Sequence, residues 1–361
     1  MHMRFYFILW QIISLLLLCL PTSIFAQSVL TLGANSPRAN DNLEREVISM
    51  DVSHLISKQK LWDLSNVEVL GRQPLQYITL GNEIIQEISN GIVYTYQMKN
   101  NTCWLLEYET PQWNLKYSEP LKILAYPFSL GDSCQIPFTA KGMYGKKYTV
   151  EKKGKILVIA DAEGKLLLNA NDTLPNVLRV HYAIESNFCM SNGTLFSDTL
   201  QTRQEKKDVY HWFAKGYRYP ILEIVTSKIL CQGQVVTENS YAYLLSPNEQ
   251  SSLFDRENEE VRYRKQEAQV ASGERLQEIM GDLQAHANDG TLEVSFKLSS
   301  PCKLKFVISD ISGVIYQQKT VNGTNEHVNH EHMDCSSLRR GEYIVYVSAN
   351  DKVYSSKFSI K

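Results

Sequence analysis

Short runs of β-branched and aromatic residues, separated by turn dipeptides, constrain the fold of this chain more than any other feature. Leu75–Leu80, Ile92–Met98 and Trp104–Tyr108 are such runs, with Gly81-Asn82 and Asn90-Gly91 beside them. Glycine and asparagine tolerate the positive φ of tight turns, so these runs indicate strands joined by hairpins. No helical periodicity of useful length occurs in the first two thirds of the chain. The sequence therefore predicts an all-β protein.

The β patterns extend over a large N-terminal domain, which we place at residues 27–248. We predict one large antiparallel domain, either a sandwich or an open curved sheet, and two subdomains split near Pro120 are the alternative. Gly154 and Gly164 separate three short strand patterns and indicate turns between them. These patterns, which predict a meander, are Tyr148–Glu151, Lys155–Asp161 and Lys165–Asn169.

The character of the chain changes at residues 249–288, which are rich in Glu, Arg, Gln and Ala. Four apolar residues recur there at helical spacing: Leu276, Ile279, Met280 and Leu283. This pattern predicts a charged, partly helical linker, with a partner-binding helix as the alternative. Residues 289–361 return to strand patterns and predict a small C-terminal β-sandwich.

Aromatic residues are most concentrated in Tyr210–Glu223, which reads YHWFAKGYRYPILE. We interpret this stretch as a packing signature of the β domain, and as one wall of a ligand site if the sheet is concave. The candidate ligand-binding residues are Tyr210, Trp212, Tyr217 and Arg218. Their chemistry suits a glycan or a hydrophobic ligand such as a lipid.

Two arginines lie within apolar or aromatic stretches, and we interpret both as structural, with anion recognition in a cleft as the alternative. Arg218 is expected to stack on a neighbouring ring, and Arg179 to pair with Asp161 or Glu223. His211, close to Arg218 in sequence, is interpreted as a histidine of the core or its rim.

Motifs of established chemistry are missing from the sequence. There is no Gly-x-Ser-x-Gly elbow, no His-Glu-x-x-His and no phosphate-binding loop. No catalytic residue, metal ligand or cofactor is predicted, and we expect a non-enzymatic protein, with a hydrolase of unrecognised type as an alternative. The formal net charge of −2 argues against a nucleic-acid binder, which would need a basic face.

The N-terminus has the pattern of an export signal. Arg4 precedes the apolar run Ile8–Leu20, and Ala26 supplies a small residue before a cleavage point at Gln27. Lipidation at Cys19 and an uncleaved anchor are alternatives. Of seven cysteines, six follow this leader, and they permit three disulfides or free buried thiols. Cys302 with Cys335 is the candidate disulfide.

Three patterns distinguish the C-terminal module: Leu304-x-Phe306-x-Ile308-x-Asp310-x-x-Gly313, Ser337-Leu338-x-x-Gly341-x-Tyr343-Ile344-Val345 and Lys357-Phe358-x-Ile360-Lys361. In these patterns the module resembles the sorting domains carried by type IX secretion substrates of Bacteroidetes. The resemblance implies a small β-sandwich that engages the secretion machinery through residues 289–361.

The larger domain contains the segments Trp62-Asp63-Leu64-Ser65 and Trp212-Phe213-Ala214-x-Gly216-Tyr217-Arg218-Tyr219-Pro220. In these segments it resembles the N-terminal region of secreted Bacteroidetes proteins. This resemblance implies a destination and no particular reaction. We therefore expect an exported protein at the outer-membrane surface, outside the cell or in the periplasm.

Overall fold

The computed structural model describes residues 28–49, 53–57, 59–169, 172–191, 202–271, 279–311, 313–325, 327–349 and 352–360. The predicted leader of residues 1–26, with Cys19, lies outside the described residues.

Thirteen strands within this part of the chain form one large sheet, and a two-residue ladder joins β1 (Val29–Leu30) to β9 (Phe128–Ser129). The strands of the large sheet are β2 (Asn42–Ser49), β3 (Leu61–Asp63), β4 (Glu68–Gly81), β5 (Ile84–Ser89), β6 (Ile92–Lys99), β7 (Thr102–Glu109), β8 (Trp113–Ala125), β10 (Ser133–Tyr144), β11 (Tyr148–Asn169), β12 (Asp172–Ser191), β13 (Arg203–Ala214), β14 (Leu222–Cys231) and β15 (Gln234–Leu244).

The large sheet closes on itself into a barrel. Its order is β10-β8-β7-β6-β5-β4-β2-β15-β14-β13-β12-β11, and β10 also pairs with β11 from Ser133↔Ile159 to Tyr144↔Tyr148. The prediction of an all-β antiparallel domain is confirmed. Because the sheet is closed, it is neither of the two predicted forms, a sandwich or an open curved sheet. Closure pairs the backbone groups that two free sheet edges would leave exposed. The strands on both sides of Pro120 belong to this one sheet.

Strand β11 is one continuous strand, so the predicted meander is wrong. Its glycines lie where neighbouring backbone comes close, and neither forms a turn. A Cβ at Gly154 would lie 2.3 Å from the carbonyl oxygen of Glu185, and one at Gly164 would lie 2.3 Å from that of Lys60. The second approach lets the short strand β3 add in parallel beside the far half of β11.

The described helices are short, apart from one. They are α1 (Leu32–Asn35), α2 (Pro247–Ser251) and α3 (Arg256–Ala271). Helix α3 does not lie free in solvent, because Asn258 and Arg262 on one of its faces are buried. Asn258 Nδ2 donates to the carbonyl of Ala34, and Arg262 Nη1 donates to that of Gly216.

The C-terminal module consists of a three-stranded and a four-stranded sheet around one hydrophobic cluster. The first sheet contains β16 (Met280–Asn288), β17 (Thr291–Leu298) and β20 (Asn329–Asp334). The second contains β18 (Cys302–Asp310), β19 (Ile315–Gly323), β21 (Gly341–Ala349) and β22 (Lys352–Ile360). Met280 and Leu283 lie in β16, so their helical interpretation is wrong.

The two cysteines of the candidate disulfide lie in the core cluster of this module. Cys302 and Cys335 are both buried, and both are free thiols, so the predicted bridge is not formed. Burial raises the pKa of Cys302 to about 11 and also raises that of Cys335. Both residues therefore serve as small apolar side chains of the core.

The module packs against the helices that follow the large sheet. Lys303 pairs with Glu249 of α2 at 2.7 Å, and Lys305 forms an ion pair with Glu259 of α3. Lys305 is only 4% exposed, and its Nζ also donates to the carbonyl of Leu253. Burial lowers the pKa of Lys305 to about 8. A buried lysine thus marks the contact between the two domains.

Arg179 holds together the outer face of the large sheet. Its guanidinium, 1% exposed, binds both carboxylate oxygens of Asp161 at 2.8 Å. Its Nη1 also donates to the carbonyls of Leu55, Ile56 and Ser57. The predicted pairing with Asp161 is confirmed. This network fixes the segment of residues 53–57 over the sheet, because one charged group satisfies three of its carbonyls at once.

We expect Arg179→Met to lower the free energy of unfolding by about 3–5 kcal/mol, because it leaves Asp161 buried without a counter-charge. Urea unfolding of the full chain measures the change. Arg72→Met is the matched control, since Arg72 makes exposed ion pairs with Glu44 and Glu46 and its loss should cost less than about 1 kcal/mol. Equal effects of the two substitutions would contradict the assignment.

Candidate functional site

The interior of the closed sheet contains a cavity of about 190 Å³. Twelve strands lie in the closed ring, whereas rings of about eight strands are filled by their own side chains. Side chains from strands around the ring line it, because successive residues of a strand point alternately inward and outward. This cavity is the candidate functional site.

Of the four predicted ligand-binding residues, only Arg218 borders the cavity. On β13 four residues face the cavity: Lys207, Val209, His211 and Phe213. Tyr210 and Trp212 alternate with them and therefore face outward. Trp212 is fully buried and packs edge-on against Trp62, with 5.9 Å between ring centroids. Tyr217 lies in the same outer cluster.

Within the described part of the chain, Arg218 pairs with a carboxylate and not with an aromatic ring, so the predicted stacking is not formed there. Its Nε and Nη2 bind the two carboxylate oxygens of Asp255 at 2.7 and 2.9 Å, and its Nη1 donates to the carbonyl of Ser36. Asp255 precedes α3, and Ser36 follows α1. The pair therefore fastens these two helices to the turn between β13 and β14, across one end of the closed sheet.

Tyr219 completes this end of the cavity. Its hydroxyl donates to Asp41 at 2.8 Å, and its ring stacks on Tyr77 with 4.5 Å between centroids. Asn35, Pro37 and Pro220 line the cavity beside it. The turn between β13 and β14, which belongs to the aromatic stretch Tyr210–Glu223, thus covers one end of the cavity. The strands form its main wall.

Much of the cavity wall is apolar or phenolic. It is formed by β6, β7, β8, β11 and β12, whose side chains also build one of the main hydrophobic clusters. The wall residues from these strands are Tyr94, Tyr96, Cys103, Leu105, Ile123, Leu124, Ile156, Tyr182 and Ile184. Such a surface suits an apolar or aromatic molecule.

A polar cluster occupies another part of the wall. His211 pairs across the strands with Glu223, and Glu223 with Tyr243, so their side chains share the inner face. His211 Nε2 lies 3.5 Å from Glu223 Oε2. Arg45 lies beside them, with Nη1 3.8 Å from the same oxygen and its guanidinium 3.8 Å above the Tyr243 ring.

Glu87 is the second acid of the cavity, and it pairs across the strands with Tyr77. Burial, and then the charge of Glu223, raise the pKa of Glu87 to about 7. For Glu223, burial acts in the same direction, but His211 and Arg45 outweigh it and lower the pKa to about 2. The two acids therefore differ: Glu223 is charged at neutral pH, while Glu87 is partly protonated.

Sequence analysis missed Arg45 and Glu87, and it considered Glu223 only as a partner for Arg179. The available signal was local: Arg45 interrupts the strand NLEREVIS, and Glu87 interrupts IIQEIS. A charged residue within an alternating strand indicates either a solvent face or a polar interior. Which of the two holds depends on whether the sheet closes, and the local sequence does not show that.

The comparisons with known proteins concern the C-terminal module. Residues 288–361 match the family model described as a secretion system C-terminal sorting domain. The resemblance found in the sequence is thus confirmed. The module suggests that the chain is exported and implies contact with the secretion machinery. No curated protein matches the chain.

Membrane-spanning helices and metal-binding clusters are both missing from the described residues. None of the helices in that part of the chain is long and apolar enough to cross a membrane. No group of three or more histidine, cysteine, aspartate or glutamate side chains in the same ranges has a metal-binding arrangement.

We expect the wild-type protein to lose stability as the pH rises from 5 to 8, and Glu87→Gln to lose less. The folded protein holds the Glu87 proton up to about pH 7, whereas the ordinary pKa of a glutamate side chain is 4.5, so the folded state loses stability as pH rises through this window. The difference should reach up to about 3 kcal/mol. Urea unfolding at both pH values measures it, with the exposed Glu68→Gln as control. Parallel pH profiles of wild type and Glu87→Gln would contradict the prediction.

Proposed function

We propose that the protein is an exported, non-enzymatic binder that carries a small, largely apolar ligand inside its closed sheet. The observation that supports this proposal is the cavity itself, which has aromatic and aliphatic walls on several strands and a helix-covered end. Of the two ligand classes that the sequence suggests, a glycan and a hydrophobic molecule, the wall favours the second. The larger part of it offers apolar surface rather than hydrogen-bonding groups.

The thiol and the ionised acid of the cavity suit binding better than covalent chemistry. Cys103 is the thiol on its wall, and burial raises the pKa of that thiol to about 12. A protonated thiol is a poor nucleophile. Glu223 lies between His211 and Arg45, and these neighbours keep it charged, so it is a weak general base. We infer that the ligand leaves the cavity chemically unchanged.

The C-terminal module supports the exported location. A domain similar to sorting domains suits a protein that acts at the cell surface or outside the cell, where a carrier meets its ligand. Together, the module and the cavity support the proposal of a binding protein delivered across the outer membrane.

We expect Val209→Trp to abolish binding of the neutral fluorescent probe N-phenylnaphthylamine, because Val209 faces the cavity and indole would fill it. Lys206→Trp is the matched control: it adds the same ring to the same strand at an exposed position. Fluorescence titration of the full chain should show saturable binding for wild type and Lys206→Trp. Failure of the wild type to bind, or unchanged binding by Val209→Trp, would overturn the proposal.

We expect deletion of residues 279–361 to keep the protein inside the cell envelope, because the deletion removes the module similar to sorting domains. Protease treatment of intact cells and assay of the medium measure the location. Full-length Val209→Trp serves as control, since it keeps the module and should be exported like the wild type. Equal protection of the wild type and of a periplasmic marker would contradict the proposed location.

A further inference from the structure

We propose that the ligand is an apolar carboxylic acid, with its carboxylate bound by Arg45 and its hydrocarbon part against the apolar wall. This inference rests on the proposed function, because it assigns the chemistry of the ligand within the same cavity.

Arg45 is a buried cation whose hydrogen-bonding capacity is not fully used. Only 7% of the residue is exposed, and it borders the cavity. Its Nε is buried and makes no hydrogen bond within the described part of the chain. Its Nη1 lies 3.8 Å from Glu223, which is beyond hydrogen-bond distance. A buried guanidinium in this state carries a desolvation cost that a ligand anion would offset.

Two other buried arginines of the large domain, Arg179 and Arg218, have the two-point carboxylate partner that Arg45 lacks within the described part of the chain. Arg179 binds both oxygens of Asp161 and three carbonyls, and Arg218 binds both oxygens of Asp255 and one carbonyl. Each of these guanidinium groups has a planar, two-point carboxylate partner from the protein. Arg45 stacks its face on Tyr243, as guanidinium groups commonly do on aromatic rings, but among the described residues it lacks the two-point partner.

Glu223 is not the two-point partner of Arg45, because its carboxylate lies between Arg45 and His211. Its Oε2 lies between His211 Nε2 at 3.5 Å and Arg45 Nη1 at 3.8 Å, and it meets neither at a short distance. A second carboxylate, brought by a ligand, can form the parallel pair of N–H···O bonds that Glu223 does not form.

The charges around the cavity also favour an anion. Two cations, Arg45 and Lys207, border the cavity. Two acids line it in the described part of the chain, and only Glu223 is fully ionised at neutral pH. Glu87 has a pKa of about 7 and is partly neutral under these conditions. An acidic head group therefore meets an excess of positive charge.

The arrangement of the wall sets the orientation of such a ligand. Arg45, Glu223 and Tyr243 belong to β2, β14 and β15, which are neighbours in the ring. The apolar wall of β6, β7, β8, β11 and β12 is formed by other strands of the ring. A molecule with one acid group and one hydrocarbon part matches this division, whereas a sugar, with polar groups on all sides, does not.

The test compares decanoic acid with methyl decanoate, which has nearly the same shape and no charge. Each competes with N-phenylnaphthylamine for the full-length protein. We expect the acid to displace the probe at about tenfold to a hundredfold lower concentration than the ester, as a charge-assisted pair requires. In Arg45→Gln this preference should fall to near one, while the ester competes as before.

Arg72→Gln is the matched control, because Arg72 lies on the adjacent strand β4 with an exposed side chain. It should keep the preference for the acid. Equal competition by acid and ester in the wild type, or a preference that survives in Arg45→Gln, would overturn this inference and leave the binding function standing. Absence of any probe binding would overturn the proposed function, and the inference with it.

Discussion

The pairing of β10 with β11 is the contact on which the rest of the structure depends. It joins the two ends of a long antiparallel sheet along residues 133–144 and 148–159, so that the ring of twelve strands has no open side. A ring of this size is too wide for its own side chains to fill. The same hydrogen bonds that protect the backbone therefore also create the interior space. Without them, the residues that line the cavity would lie on one face of an open sheet.

Sequence reasoning found the strands but not their partners. Runs of β-branched and aromatic residues beside turn dipeptides located β6 and β7 well, because these signals are local. Gly154 and Gly164 predict turns but lie within a continuous strand, because glycine suits close backbone contacts as well as turns. The face of each strand was also beyond prediction: on β13, Trp212 packs outward and His211 inward. At the C-terminal end of this strand both faces are buried, as Trp212 and Phe213 show. Aromatic density showed where the chain packs, but not on which side.

The candidate site escaped motif searching because its members are far apart in the chain. Arg45, Glu87, His211, Glu223 and Tyr243 come from five strands, and cross-strand pairing brings them to one face. The large domain also treats its buried cations in two ways. Arg179 and Arg218 complete their hydrogen bonds within the protein and fix segments of chain, whereas Arg45 keeps donor capacity beside open space. Under our proposal, two of these arginines stabilise the fold and the third binds the ligand.

The contact between Lys305 and the helix α3 has a consequence for how the C-terminal module could leave the rest of the protein. Lys305 is buried against Glu259, and Lys303 pairs with Glu249, so the two domains adhere through side chains as well as through the connecting chain. Cutting the connection would turn an intramolecular contact into an association of two fragments, which persists until the fragments dissociate. Cleavage of the chain and release of the module would therefore be separate events, with separate rates.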